Sequence, residues 1–232
     1  MSAVFPAAAA SSPVEVLCQP PWLAVTFADE HDTASWAIVG GGIRRARAVV
    51  WHQVSDEELR PPVDAKALLG LRMHDSGYGG AIALLTSRAL RSYVDVTRNY
   101  RSLEARCIAT VGLGNALRAG DPPGPSGRIG TINVLCRLSI SLARESLLEA
   151  LALAAEARAL AVREAGIVST RSGEPASGTG TDCIVIAAPK GRSPLAYAGK
   201  HTVAGHLVGS SVRDAVAEGV RAWMRERMGA RR

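Results

Sequence analysis

Apolar positions recur along this chain in two registers, one suited to strands and one to helices. In the first half the apolar runs are short and lie between turn residues. Residues 14–17 and 22–27 read as two strands joined through Gln19, Pro20 and Pro21. A polar turn at 29–32 and a third strand at 33–39 follow, stopped by Gly40, Gly41 and Gly42. Ala46, Ala48 and Val50 alternate with Arg45 and Arg47, which predicts a half-buried strand over 45–54. A short helix over 63–71, with Asp64 near its start, precedes a strand at 81–85. Thr86 and Ser87 are placed to cap a small helix over 89–93. Strands at 94–96, 105–111 and 130–138 come next, with a Pro/Gly loop at 121–127.

The second half changes period. Leu147, Leu148, Leu151, Ala154, Ala155 and Leu160 mark an apolar stripe on a helix over 144–164 that Gly166 stops. Ile184 to Ala188 form a continuous apolar run, long enough for a strand covered on both faces. A last helix carries Val208, Val212, Val216, Val220 and Met224 every four residues. Short strands with tight connections, followed by long covering helices, predict an α+β fold with mixed or mainly antiparallel sheets. A two-sheet sandwich flanked by helices is the expected form, because the early connections are too short for parallel crossovers.

Composition changes this picture little. The 232 residues suffice for one core, and no compositional break divides them, so a single domain over 14–232 follows a loose Ala, Ser and Pro lead-in over 1–13. Hydrophobic residues make up 47% but aromatics only 4%, so the core is filled by Ala, Val, Leu and Ile. The net charge of +6 is dispersed. Its clusters, Arg44, Arg45, Arg47 and Arg225, Arg227, Arg231, Arg232, lack interleaved aromatics, which favours a solvated basic surface over a nucleic-acid interface. Cys18, Cys107, Cys136 and Cys183 lie far apart without metal-binding spacing, as expected of buried thiols in a reducing compartment. No metal or other protein cofactor is expected. The start of the chain has no signal-peptide pattern and no run is long enough to span a bilayer, so a cytoplasmic protein without membrane partners is expected.

Candidate chemistry gathers in two glycine-bounded turns. Gly178, Thr179, Gly180, Thr181 and Asp182 put hydroxyls and a carboxylate beside a permissive backbone just before the 184–188 strand. Lys200, His201 and Thr202 follow Gly199 at the start of the last helix and combine a cation, an imidazole and a hydroxyl. Asn115, in a glycine-punctuated loop, can orient an amide or polarise its carbonyl, or simply satisfy a turn. Thr131 and Asn133 share one face of their strand. His74 and Asp75 read as solvated loop residues.

Four ordered stretches, TVGLGNALRAGDP at 110–122, GTIN at 130–133, GTGTDCIVIAAP at 178–189 and YAGKHTVAGHLVG at 197–209, resemble the adenosylcobinamide amidohydrolase family. The resemblance runs from about Trp36 to Trp223. It departs from the family at Trp51, where an asparagine is frequent, and at His206, where an acidic residue is. It implies hydrolysis of the amide joining an aminopropanol arm to a corrin ring, giving adenosylcobyric acid for cobalamin salvage, with cobalt arriving only inside the corrinoid substrate. In that reaction His201 is expected as acid-base, Asp182 as its orienter or the activator of water, and Lys200 as an oxyanion stabiliser. Thr202, Thr131 or Thr181 could instead attack directly, and the sequence leaves water and hydroxyl open. Asn115, Thr131, Asn133, Gly178, Thr179, Gly180, Thr181 and Gly199 are expected to line the substrate site. A corrinoid or small-metabolite binder without catalysis is the alternative, and a homo-oligomer is possible.

Overall fold

The computed structural model describes residues 13–124 and 130–229. Nearly all of the 1–13 lead-in, residues 125–127 of the Pro/Gly loop, Arg231 and Arg232 lie outside them. β1 (Val14–Gln19) and β2 (Trp22–Ser35) form the expected hairpin, and β2 pairs along its length with β3 (Gly42–Gln53). The turn expected at 29–32 and the separate strand at 33–39 are corrected: β2 runs through as one strand, with a register shift between Thr26 and His31. A bulge absorbs the polar residues without breaking the ladder.

Helix α1 (Ala65–Asp75) is capped as Asp64 predicted, its carboxylate accepting from the amides of Lys66 at 2.9 Å and Ala67 at 3.2 Å. β4 (Ile82–Thr86) runs parallel to β3, and a single 3-10 turn, Leu90–Ser92, replaces the small helix at 89–93. β5 (Val94–Tyr100) and β6 (Leu103–Val111) form a second hairpin. β8 (Ile132–Leu138) lies between β6 and β10 (Cys183–Pro189), antiparallel to the first and parallel to the second. The sheet order is β4-β3-β2-β10-β8-β6-β5, with β1 beside β2 as the eighth strand. β7 (Ala116–Leu117) and β9 (Gly178–Thr179) make a separate two-stranded ribbon. The fold is therefore α+β with a mixed sheet, as expected, but its two sheets are very unequal rather than the layers of a sandwich.

Helices α2 (Arg144–Glu164) and α3 (Val203–Gly229) pack on one face of this sheet. Val208, Val212, Val216 and Val220 are all fully buried against Val134, Cys136, Ile184 and Ile186, each valine worth roughly 1.5–3 kcal/mol. Met224, the next in that series, is 38% exposed. The stripe of α2 follows its prediction in part: Leu147 and Ala154 are buried, but Leu148 and Leu160 face solvent, and Ala150, Ala157, Ala161 and Val162 complete the inner face. Small side chains let the helix come close to the sheet, and that proximity selects alanine over leucine on the inner face.

The opposite face holds a second core made of Leu23, Val25, Trp51, Leu84, Ile108, Leu135 and Val185 among others, with no residue from α1, α2 or α3. β4 and β8 are separated by three strands, yet the Asn133 side chain on β8 hydrogen-bonds the Leu85 carbonyl on β4. The sheet therefore curls until its β4 edge lies over the entrance of β8. α1 seals the outer side of that edge through Leu69 and Met73 against Trp22, Val50 and Ala83. Among the described residues no helix is long and apolar enough to cross a membrane.

Candidate active site

Where the curled edge meets the starts of β8 and β10, a cavity of about 570 Å³ opens. Its polar wall is Asn115, Thr131, Asn133, Thr181 and Asp182, with Thr86 and Ser87 across from them on the β4 edge; its apolar lining includes Trp36, Ile38, Leu59, Leu84 and Cys183. The parallel pairing of β8 and β10 sets Asn133 opposite Cys183, so Thr131 and Thr181, each two residues earlier in that register, become neighbours. Their hydroxyls share a short hydrogen bond. Their two protons are shared between that contact and two carbonyl oxygens within reach, that of Thr181 at 3.2 Å from Thr131 Oγ1 and that of Gly130 at 3.1 Å from Thr181 Oγ1.

The β7–β9 ribbon brings Asn115 to the same place by pairing Ala116 with Thr179 and Leu117 with Gly178. Gly130 makes the approach possible, because a Cβ there would come within 2.6 Å of Asn115 Oδ1 and 2.7 Å of the Gly114 amide. Asn115 is 5% exposed, and its Oδ1 is buried without a hydrogen-bond partner. An orphaned buried acceptor costs about 1–3 kcal/mol unless a ligand satisfies it. Asn133 is 1% exposed and its Nδ2 is committed to Leu85.

Asp182 reaches the cavity as expected, but its carboxylate is engaged elsewhere than with a histidine. Oδ1 accepts from the Ile132 amide at 2.9 Å and from the Thr179 hydroxyl; Oδ2 accepts from the Thr179 amide at 2.8 Å and from Arg158 Nη1. Burial pushes its carboxyl up, while the Arg158 guanidinium and the Thr179 and Ile132 donors pull the other way. With four donors on its two oxygens the carboxylate has no lone pair left for a water or a histidine. It clasps the 178–182 turn, and Thr181 with it, to β8. Gly178 belongs to the same clasp, since a Cβ there would overlap both Arg158 and Asp182.

Arg158 was not picked out in the sequence. It lies on α2 four residues from buried Ala154 and three from Ala161, and the signal for it was a charge at helical spacing on the inner stripe. Its Nη1 also donates to the Ser177 carbonyl at 2.8 Å. Trp36 was likewise missed as a wall; its Nε1 donates to the Asp182 carbonyl at 2.7 Å.

The second turn does not reach this cavity, and the expected pairing of His201 with Asp182 is corrected. Asp182 precedes β10 and Gly199, Lys200, His201 and Thr202 follow it, so the two groups stand at opposite ends of one strand. His201 and Thr202 line a separate hollow of about 290 Å³ with Leu103, Ile140 and Tyr197. Lys200 is an exposed partner of Glu156 on α2. Thr202 is the cap of α3: its hydroxyl accepts from the Gly205 amide at 3.0 Å and donates to the Gly199 carbonyl at 2.8 Å. Gly205 has no room for a Cβ against Ala198 and Gly199. This motif is explained by how α3 docks on its own entry turn. Of the two departures from the family, Trp51 is fully buried in the second core and His206 packs edge-on against Tyr100. Among the described residues no three His, Cys, Asp or Glu side chains converge as a metal site would require.

The family model for adenosylcobinamide amidohydrolase matches residues 7–228. An uncharacterized protein of Methanocaldococcus jannaschii is 35% identical over 95 residues, which are 40% of this chain and 37% of that relative. A Burkholderia sp. beta-aminopeptidase superposes over 86% of this chain and 77% of its own, with a TM-score of 0.43 and 11% identity. With a match across nearly its whole length, and with the motif residues at 115, 131, 133 and 181 on one cavity wall, the chain belongs to the adenosylcobinamide amidohydrolase family.

Proposed function

We propose that this protein hydrolyses the amide between the aminopropanol arm and the corrin ring of adenosylcobinamide, releasing aminopropanol and adenosylcobyric acid in cobalamin salvage. The observation that carries the reading is the buried, unpartnered Oδ1 of Asn115 on the wall that gathers the family's motif residues. A secondary amide offers an N–H to that oxygen, and accepting it would hold the scissile bond against the Thr131–Thr181 hydroxyl pair. One hydroxyl of the pair, or a water held by it, adds to the carbonyl carbon. The C–N bond then breaks and the departing amine takes the proton given up by the nucleophile. Where water adds, its oxygen ends directly in the new carboxylate; where a hydroxyl adds, a threonyl ester forms and water then hydrolyses it, its oxygen entering the carboxylate and a proton restoring the hydroxyl. Thr131 and Thr181 are the hydroxyls best supported for this; Asp182, Gly178 and Thr179 fix the turn that presents Thr181, and Asn133 fixes the floor.

Adenosylcobinamide incubated with the protein should yield adenosylcobyric acid by mass. Asn115→Ala and Thr181→Ala should each lower kcat/KM by about 10²–10³, the range for loss of one group that acts on the reacting carbonyl. Absence of product from the wild type, or full activity in both variants, would overturn the reading.

One observation favours a second reading, a corrinoid-binding protein without turnover. The only carboxylate on the cavity wall is Asp182, whose oxygens are fully engaged, and no His or Lys lines it among the described residues. Retained corrinoid binding with no product separates this reading from the first.

A further inference from the structure

The cavity at the starts of β8 and β10 is smaller than the substrate proposed for it. Its volume of about 570 Å³ lies within the ~300–1,000 Å³ that encloses a drug-sized ligand. A corrinoid carrying its adenosyl group is larger than that, so most of the molecule has to remain outside. The polar groups that can address an amide, Asn115, Thr131 and Thr181, lie together on one wall, while Ile38, Leu59 and Leu84 add apolar lining that a small, polar aminopropanol does not require.

At the rim stands Trp36, 46% exposed although it lines the cavity. Its ring is held at one point and its backbone by a tight turn. Nε1 donates to the Asp182 carbonyl at 2.7 Å, tying the indole to the turn that carries Thr181. Its backbone lies in a cinched turn, where the Ala37 amide donates to Ser35 Oγ at 2.8 Å and Gly41 comes so close that a Cβ would be 3.0 Å from the Ala37 nitrogen and 3.3 Å from the Trp36 carbonyl carbon. An exposed indole that is nonetheless immobilised presents a flat apolar face at little entropic cost on binding.

Resting on the amidohydrolase reading above, we propose that the cavity admits only the amide-bearing arm and that the corrin macrocycle stays outside against the indole of Trp36, which makes Trp36 the residue that selects for the ring. The amide is then read by its polar wall and the ring by its rim.

The test compares wild type, Trp36→Phe and Trp36→Ala on adenosylcobinamide and on an arm-only amide, N-(2-hydroxypropyl)propanamide. Trp36→Ala should raise the KM for the corrinoid about 2- to 12-fold, the range an aromatic contact is worth, with kcat changed by less than about twofold. Trp36→Phe, which keeps a ring but loses the N–H, should lie much nearer wild type. On the arm-only amide the two variants should not differ from one another. A Trp36→Phe loss as large as that of Trp36→Ala would assign the effect to the hydrogen bond and overturn the proposal, as would an unchanged corrinoid KM in Trp36→Ala. Equilibrium dialysis with adenosylcobinamide applies even to a protein with no turnover. The same order of Kd, wild type and Phe tight and Ala weak, supports ring docking independently of hydrolysis, and equal Kd for all three refutes it.

Discussion

Asn133 Nδ2 on β8 donates to the carbonyl of Leu85 on β4 at 2.7 Å, although three strands separate β8 from β4 within the sheet. That one bond records how far the sheet curls, and it forms one boundary of the cavity. It also satisfies a donor that is otherwise wholly inside the protein.

Replacing Asn133 by Ala should therefore loosen the β4 edge. The Leu85 carbonyl loses its buried partner, at a cost of about 1–3 kcal/mol. Urea unfolding should show that loss, and kcat/KM should fall with it because the cavity wall moves. An unchanged midpoint would mean that the edge is held elsewhere.

Arg158 and Asp182 should behave as one unit. Arg158→Met leaves a buried carboxylate without its cation and should destabilise by about 3–5 kcal/mol, whereas the double variant Arg158→Met, Asp182→Asn should recover much of the loss. A double-mutant cycle in denaturant checks this; additive losses would rule the coupling out.

His201→Ala should leave both stability, within about 0.5 kcal/mol, and turnover of the proposed substrate near wild type, because the residue is exposed at the far end of β10. A hundredfold fall in kcat/KM would restore it to the chemistry.

Cys183 lines the cavity, yet burial pushes its thiol up to about 12, with Cys136 at about 11. At neutral pH it should resist alkylation in the folded protein while half-buried Cys18 reacts first. Mass spectrometry of labelled peptides shows the order, and Cys183→Ala should leave turnover with no nucleophile lost.

Arg88 holds Glu226 of α3 with both guanidinium nitrogens, at 2.7 Å for Nη2 to Oε1, and that hydrogen bond together with the Arg88 charge lowers the Glu226 carboxyl from its ordinary 4.5. A depressed folded value means stability that is present above about 4.5 and lost as pH falls through the folded pKa. Glu226 is half exposed, so the contribution is about 0–1 kcal/mol. Wild type should melt slightly above Glu226→Gln at pH 7 and the gap should close in acid.

Much of the fold was legible because it rests on local periodicity. The valines of α3, the Asp64 cap and the strand at 184–188 lie where their spacing put them. The 29–32 turn was not, because a bulge and a turn use the same polar residues and only the partner strand distinguishes them. In the site, Asn115, Thr131, Asn133 and the 178–182 turn were recognisable from motif and period, and they meet. His201 and Lys200 point to a site by chemical type alone, and type does not say at which end of a strand a loop will stand. Arg158, Trp36 and the Leu85 carbonyl reach the cavity only through tertiary contacts, which no local pattern encodes.

The β7–β9 ribbon consists of two residue pairs, Ala116 with Thr179 and Leu117 with Gly178, and an isolated ribbon of that size has almost no stability of its own. Its amides should exchange with deuterium well before those of β8 and β10, by local opening rather than global unfolding. β7 begins directly after Asn115 and β9 ends two residues before Thr181, so an opening wide enough to part those two side chains would take the molecule out of its reactive state, and the time the ribbon spends zipped would then cap the fraction ready to react.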